Sequence, residues 1–347
     1  MNKELNIFGA RTTIESNEQD FLDSVAGNLY FFSKAGDKNP ALLSNTSLKV
    51  SYLTDRQADH GQEIAACRKI GNNVYIGENK CIYLEGNLFV RIVKQGNDLE
   101  ISARPVRKKG LKSKIGRLIR RRKTDYFQLV RKLVIFPVFY LLEANCGIFL
   151  LHGSAVNHAG KAIVMAGLAG IGKTTLAIAL TLKDPGGIRF LSDNFLLFDQ
   201  DNIYPFPEHI RLHDDLRSFI PNTDRLGQPI VRRFKRSHYA LDGRLISGKV
   251  PPQVLFLPSL AREPYLREVP AHVAIDRLLL ANDHVKEFHT YHYMGLLDYL
   301  NYGSGSLYAR RLDTLKSLLS KIKSYEVGIA KGEKPYEWWE RIQNVIS

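Results

Sequence analysis

"GLAGIGKTTLAIAL", residues 167–180, decides how this chain is read. Glycines at 167, 170 and 172 stand before Lys173, Thr174 and Thr175, and a run of helix formers follows. Residues 167–174 fit G-x-x-x-x-G-K-[ST], the P-loop pattern. Each part has a physical reason. Glycines permit a tight loop whose backbone N–H groups turn inward as an anion nest. The helix that follows adds partial positive charge at its N-terminus, where phosphate would sit. Lys173 is placed to reach the β- and γ-phosphates, and the Thr174 hydroxyl has the length to ligate Mg²⁺. Thr175 packs or caps. A bare glycine turn between a strand and a helix would need no lysine. The expected cofactors are therefore ATP and Mg²⁺, with Gly167, Gly170, Ile171, Gly172, Lys173, Thr174 and Thr175 forming the nucleotide cradle.

Working outward, "IFLLHGSAV" and "KAIVMAG" read as two strands joined by a hairpin turn, "NHAG". The second of them runs into the glycine loop. After the helix comes "IRFLSDN", a strand ending at Asp193. In a parallel sheet its C-terminal end would lie near the loop, on the edge where ligands bind. A carboxylate there can hold Mg²⁺ through water, or take the proton from an attacking hydroxyl. The alternative is a turn aspartate, since "SDN" is also good turn chemistry. The hairpin should bring His152 beside the loop strand, where it would contact phosphate or the carboxylate; a histidine at a strand end also serves structure alone.

The composition is that of an ordinary soluble protein, with 44% hydrophobic and 24% charged residues. Three cysteines, Cys67, Cys81 and Cys146, lie far apart without a CxxC pair, so neither a disulfide framework nor a zinc ribbon is indicated. The N-terminus has no apolar core of a secretory signal, and a reducing cytoplasm is the expected compartment. The net charge of +14 is local. Residues 104–132 carry thirteen Lys or Arg against Asp125, which leaves a net of +2 for all the rest. Whole-surface nucleic-acid binding is thereby disfavoured.

Three regions follow from the pattern. Residues 1–103 read as a β-rich domain, with short strands punctuated by Gly-Asn pairs. Residues 104–147 read as a basic linker followed by apolar helices, with Thr124 or Asp125 as a cap. "LVIFPVFYLL", 133–142, is too short to span a bilayer. It reads as a buried helix pair broken near Pro137 and packed on the next domain. The other reading lays it on a membrane, with the basic segment facing anionic lipid. Residues 148–347 mix strands and helices throughout, and read as an α/β catalytic domain.

The order of parts in "LLHGSAVNHAGKAIVMAGLAGIGKTTLAIAL" followed by "IRFLSDN" resembles the catalytic domain of HPr kinase/phosphorylase. That bacterial serine kinase shares its core with phosphoenolpyruvate carboxykinase. The resemblance covers roughly residues 148–212 and implies a P-loop kinase core preceded by a smaller domain. Residue by residue, it implies that Lys173 and the loop backbone hold the phosphates. It sets Thr174 where the family has a Mg²⁺-binding serine, and His152 where it has a phosphate-proximal histidine. Asp193 falls in the family's Asp-Asp pair, which supplies the base and helps position metal. It also implies a homo-oligomer, since the family forms rings; the sequence by itself does not fix the oligomer.

The departures shape the expected substrate. Asn194 follows Asp193 where the family has a second aspartate. Leu168 and Ala169 replace a polar pair in the loop. The Leu-Glu-x-Arg-Gly-x-Gly signature is missing, and "PFPEHIRLHDDLRSF" occupies its place, with Glu208 and Arg211 as carboxylate and phosphate contacts or as surface residues. The chain thus looks like a stand-alone HPr-kinase-like protein acting on a hydroxyl of a peptide, protein or small molecule, with Asp193 as base. Two competing expectations stand beside this one. One is a nucleotide-binding switch without transfer, supported by the missing second aspartate. The other has residues 104–123 dock an anionic membrane or nucleic acid while nucleotide gates the contact. A nucleoside-type kinase fits less well, because its loop usually follows the domain's first strand. The cluster His284, His289 and His292 does not share one helical face and is not read as a metal site. "RRFKRSHY", 232–239, reads as a solvated loop or as a flap over phosphates.

Overall fold

The computed structural model describes residues 1–347 apart from 30–31, 33–40, 55–59, 107–124, 169, 185–186, 207, 221, 234, 241–247, 284, 286–290, 292, 296–306 and 347. The chain forms two compact units: Met1–Gly147 with Glu287–Tyr308, and Ile148–Lys286 with Ala309–Ser347. Most of the basic segment, together with His284, His289 and His292, lies outside the described residues.

The first unit is built on one eight-stranded sheet. Its strands are β1 (Asn2–Ile7), β2 (Ala10–Ser16), β3 (Ser47–Tyr52), β4 (Arg68–Gly71), β5 (Val74–Ile76), β6 (Lys80–Glu85), β7 (Leu88–Gln95) and β8 (Asp98–Pro105). The order is β1-β2-β3-β8-β7-β6-β5-β4. β4 to β8 form an antiparallel meander, while β3 pairs in parallel with both β2 and β8. Alternation along β2 is the signature of a sheet with one face inward: Ala10, Thr12, Ile14 and Ser16 are buried. Helix α1 (Gln19–Asn28) contributes Phe21, Leu22 and Val25, and the Phe21 ring lies 4.9 Å from that of Tyr52.

The apolar segment after the basic run is helical from 126 to 146. Helix α2 (Tyr126–Val130) is capped by Asp125, whose carboxylate accepts from the Gln128 N–H. A π-helical turn (Arg131–Ile135) leads directly into α3 (Phe136–Cys146). Pro137 follows directly on the π-helical turn and the chain stays helical through it, so no break into two separate helices occurs. Residues 136–143 are all buried. The segment holds to its own unit: the Asn145 amide reaches the Thr46 hydroxyl, and the Cys146 thiol reaches the Leu42 carbonyl. The sequence reading packed these helices on the following domain; the partners seen here belong to the first unit. Residues 287–308 also belong to it, although the reading ran the second domain unbroken to 347. Tyr293 explains part of this, its ring stacking 4.9 Å from Tyr83 on β6. Among the described residues no helix is long and apolar enough to cross a membrane.

The second unit is α/β. Its main strands are β9 (Phe149–Leu151), β10 (Gly153–His158), β11 (Lys161–Ala166), β12 (Ile188–Asp193), β13 (Leu196–Phe198), β14 (Ile203–Tyr204), β15 (Ile210–His213), β16 (Val231–Arg233), β17 (Arg236–Tyr239), β18 (Pro252–Ala261), β19 (Tyr265–Val269) and β20 (Lys323–Ala330). Six of them form a mixed sheet, β12-β10-β11-β18-β20-β19. β10 and β11 are an antiparallel hairpin, turned at Ala159 and Gly160 with positive φ. β12 pairs antiparallel to β10, so it points the same way as β11, one strand removed. β18 pairs in parallel with both β11 and β20.

Helices cover both faces of this sheet. Leu176, Leu180 and Trp338, from α4 (Lys173–Lys183) and the C-terminal helix, pack with Phe190, Phe256 and Val327 on one face. Leu278, Leu315 and Leu318, from α5 (Ala271–Asp283) and α6 (Leu307–Leu319), pack with Leu191 and Leu255 on the other. The C-terminal helix is α7 (Pro335–Ile342). Burial on both faces explains why "KAIVMA" and "VLFLP" read as unbroken apolar runs. The basic "RRFKRSHY" run contributes to β16 and β17, which pair with each other, and β17 pairs in turn with β15.

Candidate functional site

The ends of β11 and β12 and the start of α4 converge on one edge of the sheet. Between Ala166 and Lys173 the chain makes a tight loop, in which Gly170 and Gly172 have φ of 83° and 89°. Gly167 has a φ of 143°, also positive, and side chains with a Cβ are strained at all three positions. Gly172 is also the residue before the first turn of α4, and that turn has no side-chain cap. Its leading N–H groups therefore face the loop with partial positive charge. A Cβ on Gly172 would lie 3.8 Å from the indole of Trp338, so α7 walls the loop from behind. Ile171 packs against the same apolar cluster, and Leu168 is half exposed.

Lys173 is buried, and its ammonium donates to the carbonyls of Gly167 at 2.8 Å and Leu168 at 2.6 Å. Burial pulls its pKa down to about 8, partly opposed by the negative charge of Asp193. The ammonium is thus held at the loop by two carbonyls and one nearby carboxylate, and it is only moderately stable as a cation. The Thr174 hydroxyl donates to Asp193 Oδ1 at 2.7 Å. Thr175 is buried within the unit.

Asp193 ends β12 and is itself buried. Its Oδ1 accepts a second hydroxyl, that of Ser154 on β10, at 2.6 Å. Among the described residues Oδ2 takes no hydrogen bond. The sheet register explains the pairing, because Ser154 and Asp193 are direct cross-strand partners. The next residue, Asn194, turns the chain with a left-handed φ of 71°. Its position favours Asn over most residues, since Asn tolerates this region.

His152 occupies the corner between β9 and β10 and is buried. Its Nδ1 lies 3.1 Å from the Asn194 carbonyl, which favours the tautomer with the proton on Nδ1. Its backbone N–H donates to the Asn282 side-chain oxygen at 2.7 Å, and the Asn282 amide donates to the Leu150 carbonyl at 2.9 Å. A single buried side chain from the last turn of α5 thus pins the corner that carries His152. Its contacts to Asn194 and Asn282 tie His152 to the ends of β12 and α5.

Glu208 is brought to the same strand end. The Ser192 hydroxyl bonds the carbonyls of Phe195 and Phe206, and Ser192 and Phe206 form a parallel bridge. Glu208 follows two residues on, buried, with the Arg211 guanidinium 3.6 Å away. The pair is largely buried in the fold, not on a surface loop.

The structure brings Lys173, Thr174 and Asp193 into one cluster, and sets His152 at its flank through the Asn194 turn. Thr174 and Asp193 are adjacent hard oxygen donors, which suits Mg²⁺. Among the described residues no group of three or more His, Cys, Asp or Glu is placed to hold a metal ion. A cation here would need phosphate and water oxygens to complete its shell, the usual habit of Mg²⁺. Sequence reasoning did not single out Ser154 or Asn282. A serine in "GSAV" looks like a small strand residue, and only the register with β12 reveals its partner.

No family model matches the chain. A comparison with the curated proteins also returns no match.

Proposed function

We propose that the chain is an HPr-kinase-like P-loop phosphotransferase, moving the γ-phosphate of ATP to a serine-like hydroxyl of a peptide, protein or small molecule. The observation that carries this reading is the 2.7 Å hydrogen bond from Thr174, at the head of α4, to Asp193, at the end of β12. It joins a glycine loop of P-loop spacing to a carboxylate at the end of β12, one strand removed from the loop strand, with Lys173 donating two hydrogen bonds to carbonyls of the same loop. A glycine turn of purely structural purpose explains neither the buried lysine nor the buried acid.

In this reading the loop N–H groups and Lys173 bind the triphosphate, Lys173 exchanging loop carbonyls for phosphate oxygens. Mg²⁺, held by Thr174 with Asp193 beside it, supplies charge neutralisation when bound. Asp193 Oδ2 accepts the proton of the acceptor hydroxyl, whose oxygen bonds to the γ-phosphorus as the bond to the ADP oxygen breaks. The fold supplies mainly positioning and charge. Lys173→Ala is expected to abolish transfer from γ-labelled ATP, and Asp193→Asn to lower turnover far more than nucleotide affinity. Full turnover in Asp193→Asn would remove Asp193 as base.

A second reading, a nucleotide-binding switch, is favoured by one observation. At the position of a second acid stands Asn194, whose carbonyl is engaged by His152. Label appearing only as free phosphate, with no labelled acceptor from a cytosolic extract, supports the switch. Docking of anionic membrane or nucleic acid through 104–123 is kept as a proposal about a segment mostly outside the described residues. Salt-independent binding of anionic vesicles would remove it.

A further inference from the structure

We propose that Ser154 is a positioning residue for Asp193, fixing which carboxylate oxygen faces the acceptor. The consequence for rate rests on the phosphotransfer reading above; the positioning itself does not. Ser154 is fully buried, between the loop strand and β12. Its neighbours along β10, Ala155 and Val156, are fully buried and apolar. A hydroxyl in such surroundings needs a partner, and its proton goes to Asp193 Oδ1 at 2.6 Å.

The same oxygen takes the Thr174 hydroxyl at 2.7 Å, so Oδ1 is held from two separate elements, β10 and α4. Two donors on one oxygen fix the plane of the carboxylate; one donor would leave it free to swing. Thr174 is the residue that reading assigns to the cation, so its geometry changes when nucleotide arrives. Ser154 belongs to the sheet and has no second duty. It is the constant anchor of the pair. With Oδ1 committed to two O–H donors, the proton from an acceptor falls to Oδ2, which has no hydrogen bond among the described residues.

The test uses the full chain as wild type, Ser154→Ala and Ser154→Thr. Three readouts are taken: γ-phosphate release from MgATP, calorimetric affinity for Mg·ADP, and the Asp193 side chain in a crystal structure of Ser154→Ala. Ser154→Ala should lower kcat by roughly ten- to a hundredfold, the scale expected for a misplaced reacting group. KM for ATP and the Mg·ADP Kd should stay within about twofold, because ground-state binding is untouched. Ser154→Thr, which keeps the hydroxyl, should recover most of the rate. In the Ser154→Ala crystal the carboxylate should leave its wild-type orientation. If Ser154→Ala does not fold, Ser154→Cys takes its place in all three readouts, its thiol being a weak donor of similar size.

A lower melting temperature with unchanged kcat would mean that the hydroxyl merely stabilises the fold, and would overturn the proposal. So would a carboxylate that keeps its orientation without Ser154. A wild-type protein that neither binds Mg·ADP nor releases phosphate, with the carboxylate displaced in Ser154→Ala, defeats the phosphotransfer reading and leaves the positioning assignment standing.

Discussion

Lys173 sets the behaviour of the site at the scale of single residues. It is buried, its pKa is drawn down to about 8 by loss of hydration, and only the protonated form attracts phosphate. Below pH 8 the ammonium is present. As pH rises through about 8 the protein free of nucleotide loses that charge, and nucleotide affinity should fall by up to about tenfold per further pH unit. Calorimetric titration with Mg·ADP from pH 6.5 to 9.5 measures this directly; a flat profile would mean that Lys173 keeps its proton over this range or does not bind the phosphates. Asp193→Asn should lower kcat by about 10²- to 10⁴-fold, the range for a lost general base, which single-turnover kinetics would read. Lys173, Thr174 and Asp193 could be singled out in the sequence by loop spacing and strand-end placement, and the structure brings them together. Ser154 was not, since its significance lies in the pairing of β10 with β12 and not in its own neighbours.

The elements show a different balance. The strand-loop-helix unit of β11 and α4 could be read from one line of sequence, because glycine punctuation and apolar periodicity agree there. The corner at His152 could not. It is held by Asn282, 130 residues away on α5, through two hydrogen bonds to β9 and its junction with β10. Asn282→Ala should cost about 1–3 kcal/mol per orphaned buried group, seen as a lower midpoint in denaturant unfolding. Unchanged stability would mean that the corner holds itself. Trp338 on α7 is nearly fully buried. Its place behind Gly172 adds a second effect. Trp338→Ala should cost about 3–5 kcal/mol and weaken Mg·ADP binding together, because the loop loses its wall. The apolar helix at 126–146 was legible as buried, but Pro137 misled: a π-helical turn stands directly before it and the chain stays helical through the proline.

At the scale of the molecule, the α/β class of the second unit and the β-rich character of the first were both visible in alternation and run length. The unit boundary at residue 148 followed from the change of pattern there. The return of 287–308 to the first unit was invisible, because contact between Tyr293 and Tyr83 has no signal in local sequence. A fragment of residues 148–347 carries that segment without β6, so it should be less soluble than the full chain in a centrifugation assay. Deleting 104–123 removes most of the localised positive charge and should abolish any salt-sensitive binding of anionic vesicles.

The central claim is that triphosphate lies in the loop at 167–174, with Thr174 and Asp193 at its metal. A crystal soaked with a non-hydrolysable ATP analogue and Mn²⁺, read by the anomalous signal of manganese, tests it most directly. The account predicts phosphates against the loop N–H groups and Lys173, and manganese beside Thr174 with Asp193 facing it. Nucleotide bound elsewhere, or manganese distant from Thr174 with Asp193 turned from it, would contradict the account.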